Sequence, residues 1–209
     1  MKRSISVPGV GRVSVQPDVA TLRLGVLVVR QTAAAARESA AATMNAVLEA
    51  LNAKGVAKKD LRTAFLSLNP VTDYSPETGP RVTGYQAANS VAVTVRDLAQ
   101  AGALIDAALS AGATSMDGLD FTVDDPSAAE EQARKAAMAD AERRAETIAQ
   151  AAGLKLGNVT AVSEGSSAMP VPFPAPRAMA FKAEAADTPV EAGSQEIVVS
   201  VSVSFAIDG

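Results

Sequence analysis

The sequence predicts an α+β protein, with a mainly antiparallel sheet, three helices packed on it, and the N- and C-terminal strands neighbours in one sheet. Three observations carry this prediction. Strict two-residue alternation marks strands, most clearly Ile197, Val199, Val201, Val203 and Phe205 with Ser200, Ser202 and Ser204 between them. Apolar residues at three- and four-residue spacing mark three helices, and each stops at a glycine, Gly55, Gly112 or Gly153. The order from Asp18 to Val123 is β-α-β, hairpin, β-α-β. That is the order of a ferredoxin-like split βαβ and suggests an internal duplication.

Taken in order, Ile5–Val7 and Val13–Val15 alternate around Pro8-Gly9-Val10-Gly11, as a strand pair or one bulged strand. Asp18 to Arg30 is a long strand with Ala20, Leu22, Leu24, Val26 and Val28 on one face. Leu27 and Val29 on the other face predict cover at its far end. Thr32 caps a helix to about Lys54, whose buried stripe is Ala33, Ala36, Ala40, Met44, Val47, Leu48 and Leu51. A strand follows from Leu61 to about Leu68.

Residues 69–83 form a polar segment with Pro70, Pro76 and Pro80, read either as a functional loop or as the tip of a long hairpin. Gly84 to Arg96 returns as a strand. Asp97-Leu98-Ala99-Gln100 resembles a capping box for a helix Leu98–Ala111 that buries Ala101, Leu104, Ile105, Ala108 and Leu109. Met116 to Val123 is the next strand.

Phe121 to Gly157 contains the most regular element. Asp125 caps a helix with Pro126 in its first turn, and Glu130 and Glu131 sit where the helix dipole favours negative charge. Ala129, Ala133, Ala137, Ala141, Ala145, Ile148 and Ala152 make one small-residue stripe. Glu130–Arg134, Glu131–Lys135 and Asp140–Arg144 are spaced for ion pairs on the other faces. Val159–Val162 is a short strand. In residues 166–190, Pro170, Pro172, Pro174 and Pro176 favour extended, polyproline-like chain. Gln195 to Ile207 closes the chain as a strand.

Composition bounds the function. Of 209 residues, 48% are apolar but only 3% aromatic, so Val, Leu, Ile and Ala must build the core. With a net charge of −4 and scattered basic residues, nucleic acid is not an expected partner. There is no Cys and no His, which excludes disulfides, thiolate nucleophiles, Ser-His-Asp triads and His-bound zinc or haem. No cofactor and no metal site are expected. No apolar run approaches the roughly 20 residues of a membrane-spanning helix. Met1-Lys2-Arg3 is followed by no signal-peptide core, so the expected compartment is cytoplasmic if Met1 is the native start. It is periplasmic or secreted if a leader was removed.

Three groups of residues are candidate sites. Asp117, Asp120, Asp124 and Asp125 could take a hard cation, but solvent-facing Asp120 and Asp124 with a capping Asp125 is the favoured reading, and the spacing is not that of an EF-hand. Tyr74, Arg81 and Tyr85 around the 69–83 segment could contact a partner, or the two tyrosines could pack within a hairpin. Met169, Phe173, Met179 and Phe181 place apolar bulk in the Pro-rich segment, as expected of an oligomer or partner interface. No nucleophile, base and orienting group converge, so no enzyme activity is expected.

Ile5-Ser6-Val7 with Gly9-Val10-Gly11, Val15 to Ala20, Thr83 to Ala87, Val93 to Leu98, the Phe121–Gly157 stretch and Pro189 to Glu196 together resemble the SIMPL-domain family. The resemblance implies a single domain over 1–209, with subdomains 18–124 and 1–17 plus 125–209 as a finer division. It also implies an extracytoplasmic or periplasmic bacterial protein, a homo-oligomer that can be ring-like, and a link to oxidative-stress defence or surface antigenicity. It carries over no catalytic residue. Sequence alone thus leads to a non-enzymatic cell-envelope scaffold. The alternative is a monomeric adaptor that uses residues 69–83 or 166–190.

Overall fold

A computed structural model describes residues 3–75, 79–165, 171–173, 188 and 190–208. In chain order the elements are β1 (Ser4–Val15), β2 (Val19–Arg30), α1 (Ala33–Ala53), β3 (Leu61–Ser75), β4 (Gly79–Val95) and α2 (Ala101–Ser110). They continue as β5 (Ser115–Thr122), α3 (Ser127–Ala151), β6 (Lys155–Glu164), β7 (Val171–Phe173) and β8 (Ser194–Asp208). Single 3₁₀ turns, Lys58–Asp60 and Leu98–Gln100, precede β3 and α2. The strands form two antiparallel sheets, and the chain divides into two compact units.

One unit comprises Asp18–Thr122 with Met179–Ala192. Its sheet order is β3-β4-β2-β5, the split βαβ order expected from the sequence, with α1 and α2 on one face. Ala20, Leu22, Leu24 and Val26 of β2 meet Val91, Val93 and Val95 of β4, Met44, Val47 and Leu51 of α1, and Leu104, Ile105 and Ala108 of α2. The Thr32 hydroxyl accepts from the Ala35 N–H at 3.2 Å and starts α1 as expected. The Asp97 cap is a variant: its carboxylate accepts from the Ala99 N–H at 3.2 Å and from Gln100 Nε2 at 2.8 Å, and a 3₁₀ turn intervenes before α2.

Two expectations fail in this unit. Leu109 is 47% exposed rather than buried, because the face α2 buries is the one that carries Ala101, Gly102, Leu104, Ile105 and Ala108. Leu27 and Val29 are exposed, since both helices lie on the opposite face of β2. Of the two readings of residues 69–83, the hairpin is the one the described residues show: β3 and β4 pair from Asn69 opposite Gln86 to Ser75 opposite Gly79.

The other unit comprises Met1–Pro17, Val123–Ala178 and Gly193–Gly209. Its sheet order is β1-β8-β6, with β7 also on β8, so the terminal strands do pair, Ile5 opposite Phe205 and Val15 opposite Gln195. β1 runs unbroken through Pro8, which an edge strand tolerates. Ile197, Val199, Val201, Val203 and Phe205 are buried beneath α3 as expected. The α3 stripe differs at one end: Ala133, Ala137, Ala141, Ala145 and Ala149 are buried, while Ile148 and Ala152 are exposed. A strict four-residue row runs about 26° oblique to a helix axis, so the buried line leaves the face on which Ile148 and Ala152 lie.

Gly9 and Gly11 explain why that row is alanine. A Cβ on Gly11 would lie 1.8 Å from the Ala133 carbonyl oxygen, and one on Gly9 would lie 2.1 Å from that of Ala137. Helix and strand backbones touch here with no side chain between them on the strand side.

Candidate functional site

β2 stops pairing with β4 where Arg30 lies opposite Tyr85, but β3 and β4 run on together. Beyond that point residues 70–75 and 79–84 form a two-stranded ribbon that, among the described residues, pairs with no third strand. Tyr74, 77% exposed, and Val82 lie on it, with Asp73 opposite Arg81 and Tyr74 opposite Pro80. The Thr83 hydroxyl donates to the Val71 carbonyl at 3.2 Å across a bulge. Tyr85 sits at the base of the ribbon, opposite Pro70, and packs against Ala36, Ala40 and Ala87. The two tyrosines therefore do not meet: one anchors the base and the other projects near the tip.

A second bulge shapes the base. Thr63 pairs with Val91 and Phe65 with Ser90, so Ala64 is an inserted residue. It flips the alternation of β3: Leu66 and Leu68 turn to the helix side, opposite Asn89 and Ala87, and Phe65 turns to the other face. All three remain exposed, Leu66 at 71%. Sequence periodicity missed this, because A-F-L-S-L allows either face to be apolar.

Of the residues singled out in the Pro-rich segment, Met169, Met179 and Phe181 lie outside the described residues. Phe173 is described only by its backbone, which ends β7 opposite Ser194 of β8. Among the acidic residues, Asp120 pairs with Arg23 at 2.9 Å, and Asp125 accepts from both the backbone N–H and the hydroxyl of Ser127. Among the described residues no three acidic side chains come together as metal ligands would.

The perturbed carboxylates are all tied to α3. Hydrogen bonds from the Ser127 hydroxyl and then its N–H hold Asp125 below the usual aspartate value, and the bond from Lys135, 2.5 Å from Glu131, lowers that glutamate. Arg134 is raised by hydrogen bonds to Glu164 and Glu130, both at 3.0 Å. Asp140 is lowered chiefly by the Val10 N–H, which donates to Oδ2 at 3.1 Å, with Arg144 and Arg143 adding charge at 2.8 and 2.6 Å. The expected i,i+4 pairs of α3 are thus present. The Asp140 contact to the edge of β1 was not foreseen, although glycines at alternate positions in a strand beside a four-residue alanine repeat were its signal. These carboxylates serve capping, a surface ion pair and strand attachment, and their lowered values suit permanent acceptors rather than proton donors.

A family model, SIMPL, described as a protein of unknown function (DUF541), matches residues 5–205. The chain belongs to the SIMPL family. It is 36% identical over 210 residues to the 26 kDa periplasmic immunogenic protein of Brucella melitensis, which covers 97% of this chain and 84% of that protein. A Brucella abortus protein of the same description matches equally. The uncharacterized protein YggE of Escherichia coli is 34% identical over 202 residues, covering 96% of this chain and 78% of that one. Among the described residues no helix is long and apolar enough to cross a membrane.

Proposed function

We propose that this SIMPL protein is a non-enzymatic component of the cell envelope that acts as a homo-oligomeric scaffold. The observation that carries the reading is the β3–β4 ribbon. A free two-stranded ribbon is marginally stable in water, and here it presents an aromatic ring and a valine to solvent. Packing against a neighbouring copy would remove both from water. The periplasmic description of the Brucella relatives supports an extracytoplasmic compartment, and cell fractionation tests it. The family resemblance adds a role in oxidative-stress protection, tested by peroxide challenge of a deletion strain.

The decisive experiment is light scattering on the full chain and on the double substitution Tyr74→Ser and Val82→Ser. The expected result is a defined oligomer that the substitutions dissociate with an unchanged circular-dichroism spectrum. A wild-type monomer at micromolar concentration refutes the scaffold reading. It would favour an adaptor that recruits another protein through residues 69–83 or 166–190, which pull-downs with each segment replaced would then detect.

A further inference from the structure

α1 does not cover the helix-side face of β3, and a long apolar groove remains between them. Two cavities of about 380 and 420 Å³ open along it and share Asn89. Met44 and Leu48 line the first, Leu66 and Leu68 the second. One wall of the groove is a strand edge: among the described residues β3 hydrogen-bonds only to β4, so the N–H and C=O groups on its other side are open to a further strand. The charge in the groove has one sign. Lys58 lines one cavity and Arg37 the other, no described carboxylate lines either, and neither cation is ion-paired within the described residues.

We propose that this groove binds an extended, apolar, carboxylate-bearing peptide by adding it as a strand to the free edge of β3. Main-chain hydrogen bonds to residues 61–69 supply sequence-independent affinity, and alternate apolar side chains enter the groove beside Leu66 and Leu68. A carboxylate at one end meets Arg37 or Lys58. Pro70, which has no N–H, marks where pairing stops. From Arg37 to Ala53 the helix runs about 24 Å, the length of roughly seven extended residues. An exposed strand edge favours an extended ligand over a helix, because only a strand satisfies its open backbone groups. The Ala64 bulge is the device that makes the site, since without it Leu66 and Leu68 would point away from α1.

The test uses the full chain and a fluorescein-labelled octapeptide of alternating valine and threonine with a free C-terminal carboxylate. Its amide and a version with two central prolines are the comparison probes. The expected result is saturable anisotropy with the carboxylate peptide, weaker binding of the amide and none of the proline version. Leu66→Lys and Arg37→Glu should each weaken binding by about tenfold or more with an unchanged circular-dichroism spectrum. Amide hydrogen exchange in residues 61–69 should slow when peptide is bound. Absence of saturation up to about 1 mM overturns the proposal, as does equal affinity for the Leu66→Lys variant. So does an oligomer that Leu66→Lys dissociates while the peptide fails to bind, since the groove would then belong to a second copy.

Discussion

Replacing Gly11 by alanine tests the account of the β1–α3 contact most directly. The new methyl group would sit 1.8 Å from the Ala133 carbonyl oxygen and 2.6 Å from the Ala137 nitrogen, both backbone atoms that no rotamer change can move. Ordinary contact begins near 3.4 Å, so α3 must retreat by about 1.6 Å. A gap of about 0.5–1 Å already forfeits a quarter to a half of each dispersion contact, and five buried alanines share the loss. The Val10 N–H would lose Asp140, now at 3.1 Å. Overpacking of this kind costs about 3 kcal/mol, or about 6–12 °C in thermal midpoint for a chain of this size. Circular-dichroism melts measure it. Gly25→Ala is the control: its nearest obstacle is the Ser115 hydroxyl at 2.3 Å, a side-chain atom that can rotate away. If Gly11→Ala melted within about 1 °C of wild type, the backbone-contact account of the unit would be wrong.

Ala141→Leu should also destabilise, by about 1–3 kcal/mol, because Ala141 is fully buried against the Gly9 backbone, and denaturant titration would show it. Leu104→Ala should cost about 2–5 kcal/mol and Leu109→Ala no more than about 0.5, so equal costs would contradict the burial pattern of α2 described above. Asp140→Asn should flatten the acid limb of the stability profile. Its folded value lies below the ordinary 3.8, so its contribution is full above that pH and disappears as pH falls through the lowered value. A variant whose stability below pH 4 falls as steeply as wild type would assign that limb to other carboxylates.

How much of this was legible in the sequence depended on what kind of signal each feature left. β8 announced itself through strict alternation, and all three helices ended at glycines that take the left-handed conformation, Gly55, Gly112 and Gly153. Gly9 and Gly11 misled, because glycine in a strand pattern reads as a turn until the helix that needs the space is known. The exposure of Leu109 and Ile148 was invisible for a related reason: helical periodicity gives a stripe, but the crossing of helix and sheet decides where along it burial ends. The ribbon was foreseen as one of two options for residues 69–83, with prolines weighing against strand. Pro70 and Pro80 are nonetheless accommodated in a ribbon that pairs with no third strand among the described residues. The Ala64 bulge left no trace at all in composition, since one inserted residue changes facing and not hydrophobicity.

The close pairing of Val19 with Thr122, reinforced by the Asp18 N–H donating to the Thr122 carbonyl at 3.2 Å, bears on the order of folding. The stretch they bracket enters and leaves at adjacent points, so once it has folded it acts on the rest of the chain as a clip. Gly11 and Ala133 are then joined by an effective loop of only about 19 residues instead of about 122, which lowers the entropy of closure by about 1.6 kcal/mol. A lesion in the β2–β4 core would on this account slow the docking of α3 onto β1 without touching either element. Closure of the middle of the chain first would shorten the search by which its two distant ends meet.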